Sequence, residues 1–283
     1  MEFSNSGNNS GELLYDRKDS FDGFSFLHDF AITTNWAIFL QNAIDFNPIP
    51  FLMGKKGAAQ CLKSNPNKTA KFILIPRESG LFKGQSPLII DAPKGFVFHH
   101  VNAYEKDDNI ILDSIFYDDF PSVGPDENFR KIDFENYPDG KLKRSIINIK
   151  ERSSNITTIS SQCCEFATVN PKLIGLEPTF TWMAATEQKL GNGPLQAIKK
   201  INLNTNEEYY WSAFPRGFVS EPIMVPKENS SIEDEGFLLI IVWNGKRRGS
   251  DLVILDSKDM KELAVYELPL NIPHGLHGSW IRD

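Results

Sequence analysis

The sequence predicts an all-β protein of propeller type, and three observations carry that prediction. Short runs rich in Ile, Val and Phe recur between Gly, Pro, Asn and Asp punctuation, neighbouring runs are joined at hairpin distances, and only residues 47–63 have helical character. In chain order, residues 1–20 are Ser/Asn/Gly-rich and read as a flexible lead-in to one domain over 21–283. The runs AITTNWAIFL (31–40), AKFILIPR (70–77), GFVFHHVNAYE (95–105), NIILDSIFY (109–117), GFLLIIVWN (236–244) and SDLVILDS (250–257) then read as strands. Between the first two, NPIPFLMGKKGAAQCLK (47–63) predicts a small helical or loop cap whose start two prolines delay. Towards the C-terminus, AFPRGFVSEPIMVPK, GFLLIIVWN, SDLVILDS and KELAVYELPL follow one another as strand, turn, strand, turn, the cadence of a four-stranded blade. SFLHDFAIT, NWAIFLQN and KFILIPR repeat it. Blades of about 40–45 residues would place about six in this length. A β-sandwich fits the strand pattern equally well.

Composition narrows the function. The 283 residues are 41% hydrophobic and 24% charged, which is globular composition. With 30 Lys plus Arg against 37 Asp plus Glu, the formal charge is −7, and a pI near 5.4 argues against a nucleic-acid partner. No run approaches the roughly 20 apolar residues of a spanning helix, and the first twenty residues lack the basic start and apolar core of a signal peptide. Cys61, Cys163 and Cys164 form neither a metal pattern nor an even disulfide framework. The expectation is a soluble, cytoplasmic protein.

Five histidines stand out by their surroundings: His28, His99, His100, His274 and His277 all lie in or beside apolar, strand-like runs. Taken singly, each reads as a half-buried, hydrogen-bonded histidine. No HxH or HExxH spacing makes a local metal site. Three separated imidazoles at strand ends could instead converge on a propeller axis.

Five segments carry more than pattern. HDFAIT (28–33), FHHVNAYE (98–105), CEFATVNP (164–171), SEPIMVP (220–226) and PHGLHGSW (273–280) resemble, in order, signature segments of the carotenoid cleavage oxygenases, most nearly the cyanobacterial apocarotenoid oxygenases. FLQNAIDFNPIPFLMGKKGA resembles the stretch after the first of these, so the likeness covers roughly 11–283. It implies a seven-bladed propeller with a non-haem Fe(II) on its axis, held by histidines from different blades. With O₂, that centre splits a conjugated C=C bond of a carotenoid or apocarotenoid into carbonyl products. Carried over position by position, the ligands are His28, His99 and His277, with His100 and His274 as neighbours only. Glu165 and Glu221 match the glutamates that take the second N–H of such imidazoles, which fixes the tautomer. Phe26, Phe98 and Phe166 match positions that narrow the substrate cavity, although ordinary core packing accounts for them as well.

The resemblance also implies absences. The family's first iron histidine lies upstream of the HDFAIT segment, whereas the 27 residues before His28 contain no histidine. The expected ring is therefore incomplete, with about five blades, and its open edge calls for a partner chain or oligomer. A truncated, non-catalytic remnant binding an apolar ligand is the alternative. Residues 46–56, apolar beside lysines, match a patch that dips into a membrane in the family, and core packing of the cap is the competing reading.

Overall fold

The computed structural model describes residues 2–3, 11–19, 21–121 and 133–281. Among these, the strands gather into four antiparallel meanders in chain order. Blade I comprises Ala31–Ile32, Trp36–Gln41, Ala70–Pro76 and Leu88–Ala92; blade II comprises Phe96–Lys106, Asn109–Tyr117, Gly140–Asn148 and Ser153–Ser160. Blade III follows with Cys164–Thr168, Phe180–Thr186, Leu195–Asn202 and Glu208–Ser212. Blade IV opens with two short strands, Gly217–Val219 and Ile223–Pro226, both paired to Gly236–Asn244, and continues through Gly249–Asp256 and Glu262–Glu267. The expected strand runs fall within a residue or so of these bounds, except that AITTNWAIFL splits at a turn where the Thr33 hydroxyl accepts the Trp36 N–H. Four meanders stand where about five were expected, and residues 268–281 run without a strand.

Face-to-face packing of the blades supplies the core. Trp36, Ile38, Phe72 and Leu74 of blade I meet Ile110, Leu112 and Phe116 of blade II. Ile115, Tyr117 and Leu142 on the other face of blade II meet Cys164, Met183 and Ala185 of blade III. Trp182, Ala184 and Ile198 then turn to Leu238, Ile240, Val253 and Leu255 of blade IV. Neighbouring residues such as Trp182 and Met183 serve opposite interfaces, as the period of two along a strand requires. The run FTWMAAT is accordingly buried on both faces and shows no alternation in its sequence.

Two adjacent lysines extend that arrangement with charge. Lys199 and Lys200 are each 1% exposed on the third strand of blade III. Lys199 Nζ donates to Ser160 Oγ at 2.7 Å and Gln162 Oε1 at 3.1 Å and pairs with Glu208, tying the blade to the end of blade II. Lys200 Nζ reaches the opposite way, to Asp234 Oδ2 and the Lys258 carbonyl, each at 2.7 Å, and lies 4.2 Å from the Phe180 ring centre.

The cap differs from expectation at its first residue. Its helix spans Pro48–Leu52, and Asn47 caps it by accepting the Ile49 N–H. A proline needs no N–H in the first turn, so the two prolines open the helix instead of delaying it. None of its residues is buried: Ile49, Phe51, Leu52 and Met53 are 47–78% exposed beside exposed Lys55 and Lys56. Core packing is thereby excluded for these helix residues, whereas Phe46, which opens the patch, stacks on Phe24 with ring centres 5.4 Å apart and packs against the core. A 3-10 turn at Ala59–Cys61 returns the chain to Leu62–Ser64, which pairs with Ile44–Phe46. At the N-terminus, Glu2–Phe3 pairs with Leu13–Tyr15, and Arg17 donates to the Gln85 carbonyl at 2.9 Å; residues 1, 4–10 and 20 of the expected lead-in lie outside the described residues. No helix among the described residues is long and apolar enough to cross a membrane.

Two outcomes follow from this packing. Lys200→Met strands the Asp234 carboxylate and is expected to lower stability by about 3–5 kcal/mol in urea unfolding, with Lys200→Met/Asp234→Leu recovering part of the loss. All three cysteines are free and buried, and burial pushes the Cys163 thiol up to about 11 and raises Cys164 further. Ellman's reagent at pH 8 should therefore find no fast thiol in the native chain and three after denaturation.

Candidate metal centre

Three of the five histidines meet. One ring nitrogen from each of His28, His99 and His277 lies within 4.8 Å of the others. The ring centres of His28 and His99 are 5.2 Å apart, those of His99 and His277 are 4.8 Å apart, and the two Nε2 atoms of the latter pair face each other at 3.2 Å. None of the three sits at a strand end. His99 lies inside Phe96–Lys106, whereas His28 precedes Ala31–Ile32 and His277 belongs to the strandless C-terminal segment.

Carboxylates stand behind two of the rings. Glu165 Oε2 lies 2.6 Å from His99 Nδ1, and its other oxygen accepts the Tyr117 hydroxyl at 2.9 Å. Glu221 Oε1 lies 3.2 Å from His277 Nδ1, while Oε2 accepts the Gly278 N–H at 2.8 Å. A carboxylate only accepts from a neutral imidazole, so each Nδ1 carries the proton and each Nε2 presents a lone pair to the common point. Two lone pairs 3.2 Å apart repel unless a cation or proton lies between them. With imidazole–metal bonds of roughly 2 Å, one ion needs only a small inward movement of these rings. The donor set therefore fits a metal ion, and nitrogen donors of this kind suit iron, copper, nickel or zinc.

Electrostatics separate the three rings. Burial acts to lower the pKa of His99, but the hydrogen bond and charge of Glu165 outweigh it and hold the ring above its ordinary value. His28 is lowered, by burial first and then by His99 and His277. His100, with Nδ1 2.7 Å from the Ser114 hydroxyl, is driven by burial down to about 4 and lies away from the cluster. His274 packs against Phe218 and does not join it.

Irregular strands aim the cluster. Opposite the four residues Asp113–Phe116, the first strand of blade II places six, Val97–Asn102. Those extra residues break the alternation, so that adjacent Phe98 and His99 both face His28, with ring centres at 5.3 and 5.2 Å. In blade III, one extra residue lies between Glu165 and Thr168, and Phe166 there has φ of +56°, a strained value for an aromatic residue. Its N–H bonds Glu165 Oε2 at 2.7 Å, and its ring lies 5.4 Å from His99 and 5.9 Å from His277. Between Val219 and Ile223 of blade IV, four steps run opposite three on Gly236–Asn244, and Glu221 occupies that break. Phe26 lies in strandless chain; its ring is 6.2 Å from His28 and 5.9 Å from Phe96.

Tyr117 escaped sequence reasoning. It ends Asn109–Tyr117 and is 7% exposed, and burial and the adjacent Glu165 both raise its pKa, so it stays a neutral donor. Its place depends on Gly140 opposite, where a Cβ would lie 2.9 Å from Tyr117 Cζ and 2.7 Å from the Cys164 carbonyl. Only the register of blades II and III brings these groups together, and no local motif announces it.

Meander blades packed in series around a histidine cluster define a β-propeller class of protein with a candidate metal centre, and comparison with known proteins gives its family. The model of the retinal pigment epithelial membrane protein family matches residues 1–282, and the chain belongs to this family, that of the carotenoid cleavage oxygenases. It is similar to the apocarotenoid-15,15'-oxygenase of Synechocystis, with 42% identity over 96% of this chain and 55% of that protein. To a carotenoid 9,10(9',10')-cleavage dioxygenase of Crocus sativus the identity is 25%, over 91% of this chain and 48% of the relative. Superposed on the crystal structure of cobalt-substituted Synechocystis oxygenase, a seven-bladed propeller, it gives a TM-score of 0.92 at 40% identity, covering 97% of this chain and 57% of that one. The chain thus spans about half the length of the curated relatives it matches.

Tyr117→Phe removes one donor from Glu165 and leaves the Phe166 N–H and His99 in place. It is expected to cost about 1.5 kcal/mol in urea unfolding, the low end for a bond to a charged acceptor.

Proposed function

We propose that this chain carries part of a non-haem Fe(II) centre that cleaves a conjugated C=C bond of a carotenoid or apocarotenoid with O₂, giving aldehyde or ketone products. The observation that carries this reading is the convergence of His28, His99 and His277, two of them backed by carboxylates, within a family of carotenoid oxygenases. The names of the relatives point to the polyene class. Bound Fe(II) would supply the redox chemistry with O₂.

The chain's own residues do the rest. Glu165 and Glu221 hold the Nδ1 protons and thereby keep the Nε2 lone pairs turned to the ion. His28, His99 and His277 would offer neutral imidazoles to the ion and so leave its positive charge unquenched. Phe26, Phe98 and Phe166 set apolar rings against the imidazoles, with centres 5.3–6.2 Å away, where they exclude water and line the path of a hydrocarbon chain. The exposed Ile49, Phe51, Leu52 and Met53 beside Lys55 and Lys56 supply apolar area and positive charge suited to a membrane surface from which such a substrate is drawn. The remaining arc of the ring, whichever polypeptide carries it, covers the outward face of blade IV, where Phe237 and Tyr266 are 41% and 56% exposed.

Anaerobic loading followed by desalting should leave one Fe(II) per chain. His99→Ala and His277→Ala should each weaken binding more than tenfold, and Glu165→Gln by about 10–100-fold. Loss of polyene absorbance on admitting O₂, with recovery of a shortened aldehyde, tests the reaction. Iron held equally well by either alanine variant would refute the ligand set.

A further inference from the structure

We infer that Asp29 is a positioning residue that seats His28 beside His99 by capping a backbone donor on the open edge of blade II. His28 needs such a device. It lies in strandless chain three residues before Ala31–Ile32, and among the described residues its ring has no carboxylate behind it, unlike His99 and His277. No ladder of its own therefore fixes its distance from the other two rings.

Asp29 provides that link. Its Oδ2 accepts the His100 N–H at 2.8 Å across 71 residues of sequence, while Oδ1 accepts the N–H of Phe30 at 2.7 Å. The strand Phe96–Lys106 is the edge of its sheet, so N–H groups on its far side meet no further strand. A carboxylate accepting such an N–H makes a short, charge-assisted bond that binds one stretch of backbone to another. Here the bound stretches are the ones carrying His28 and His99, each one residue from the bond. The His100 ring, bonded to the Ser114 hydroxyl at 2.7 Å, anchors the same residue to the second strand of blade II. The line from Asp29 through His100 to Ser114 thus ties the strandless end of the cluster to the sheet. It also leaves the His28 ring 5.2 Å from His99 and 5.3 Å from Phe98.

The seat is a matter of hydrogen bonding, and only its consequence for ion binding rests on the proposed metal centre. Two measurements separate them. In metal-free protein, amide exchange at His100 should speed at least tenfold in Asp29→Ala, whereas Asp29→Asn, which keeps an acceptor oxygen, should stay within about threefold of the parent. In Co(II) titrations followed by the visible spectrum, Asp29→Ala and His28→Ala should each weaken binding about tenfold, and the double variant should be no weaker than His28→Ala alone. Asp29→Asn should restore parental affinity, a rescue that a general loss of packing would not show. Unchanged exchange in Asp29→Ala, or losses that add in the double variant, would overturn the assignment. A parent that takes up no Co(II) would refute the metal reading alone, with amide exchange still deciding the role of Asp29.

Discussion

Three imidazole nitrogens within 4.8 Å of one another are the constraint around which the rest of this structure is arranged. Regular strands do not meet it, because alternation turns every second side chain away from the axis. Extra residues in the first strands of blades II, III and IV answer this locally: around His99, between Glu165 and Thr168, and at Glu221. Each irregularity sits at a residue that touches the cluster. The left-handed backbone of Phe166 is the clearest cost, accepted where Glu165 and its neighbour must both face His99.

Such departures need a stiff surround. Apolar packing between consecutive blades supplies most of it, with Trp36, Phe72, Met183, Trp182 and Leu238 in three successive cores. Lys199 and Lys200 add directional ties from one strand to both neighbouring blades. Buried charges of this kind contribute little net stability against an apolar pair, but they penalise any slip that would unpair them. A slip of one residue in Leu195–Asn202 would exchange the two lysines between interfaces, so the pair also opposes a loss of the register in blade III, where Tyr117 meets Glu165 and Gly140 meets the Cys164 carbonyl.

Much of this was legible in the chain itself. The runs NIILDSIFY and GFLLIIVWN coincide with observed strands because hydrophobic residues bounded by turn formers leave few other solutions. The histidine and glutamate segments were legible by family likeness, since spacing alone showed no local metal pattern. Tyr117 and Asp29 were not. Their partners Glu165 and His100 lie 48 and 71 residues away, and a tyrosine at a strand end or an aspartate beside a histidine looks ordinary in one dimension. The cap was misread at its start for the opposite reason, a local rule about proline applied one turn too far inside the helix.

By itself, then, the sequence determined an all-β chain and the order of its strands, because composition and periodicity are expressed locally, and its likeness to a family singled out the cluster-forming residues and the propeller. Only the tertiary structure decided how the rings meet. Which nitrogen faces which, which carboxylate backs each ring and where alternation breaks depend on pairings between distant strands, and register across a sheet is set by the sum of both partners' packing and not by either sequence alone.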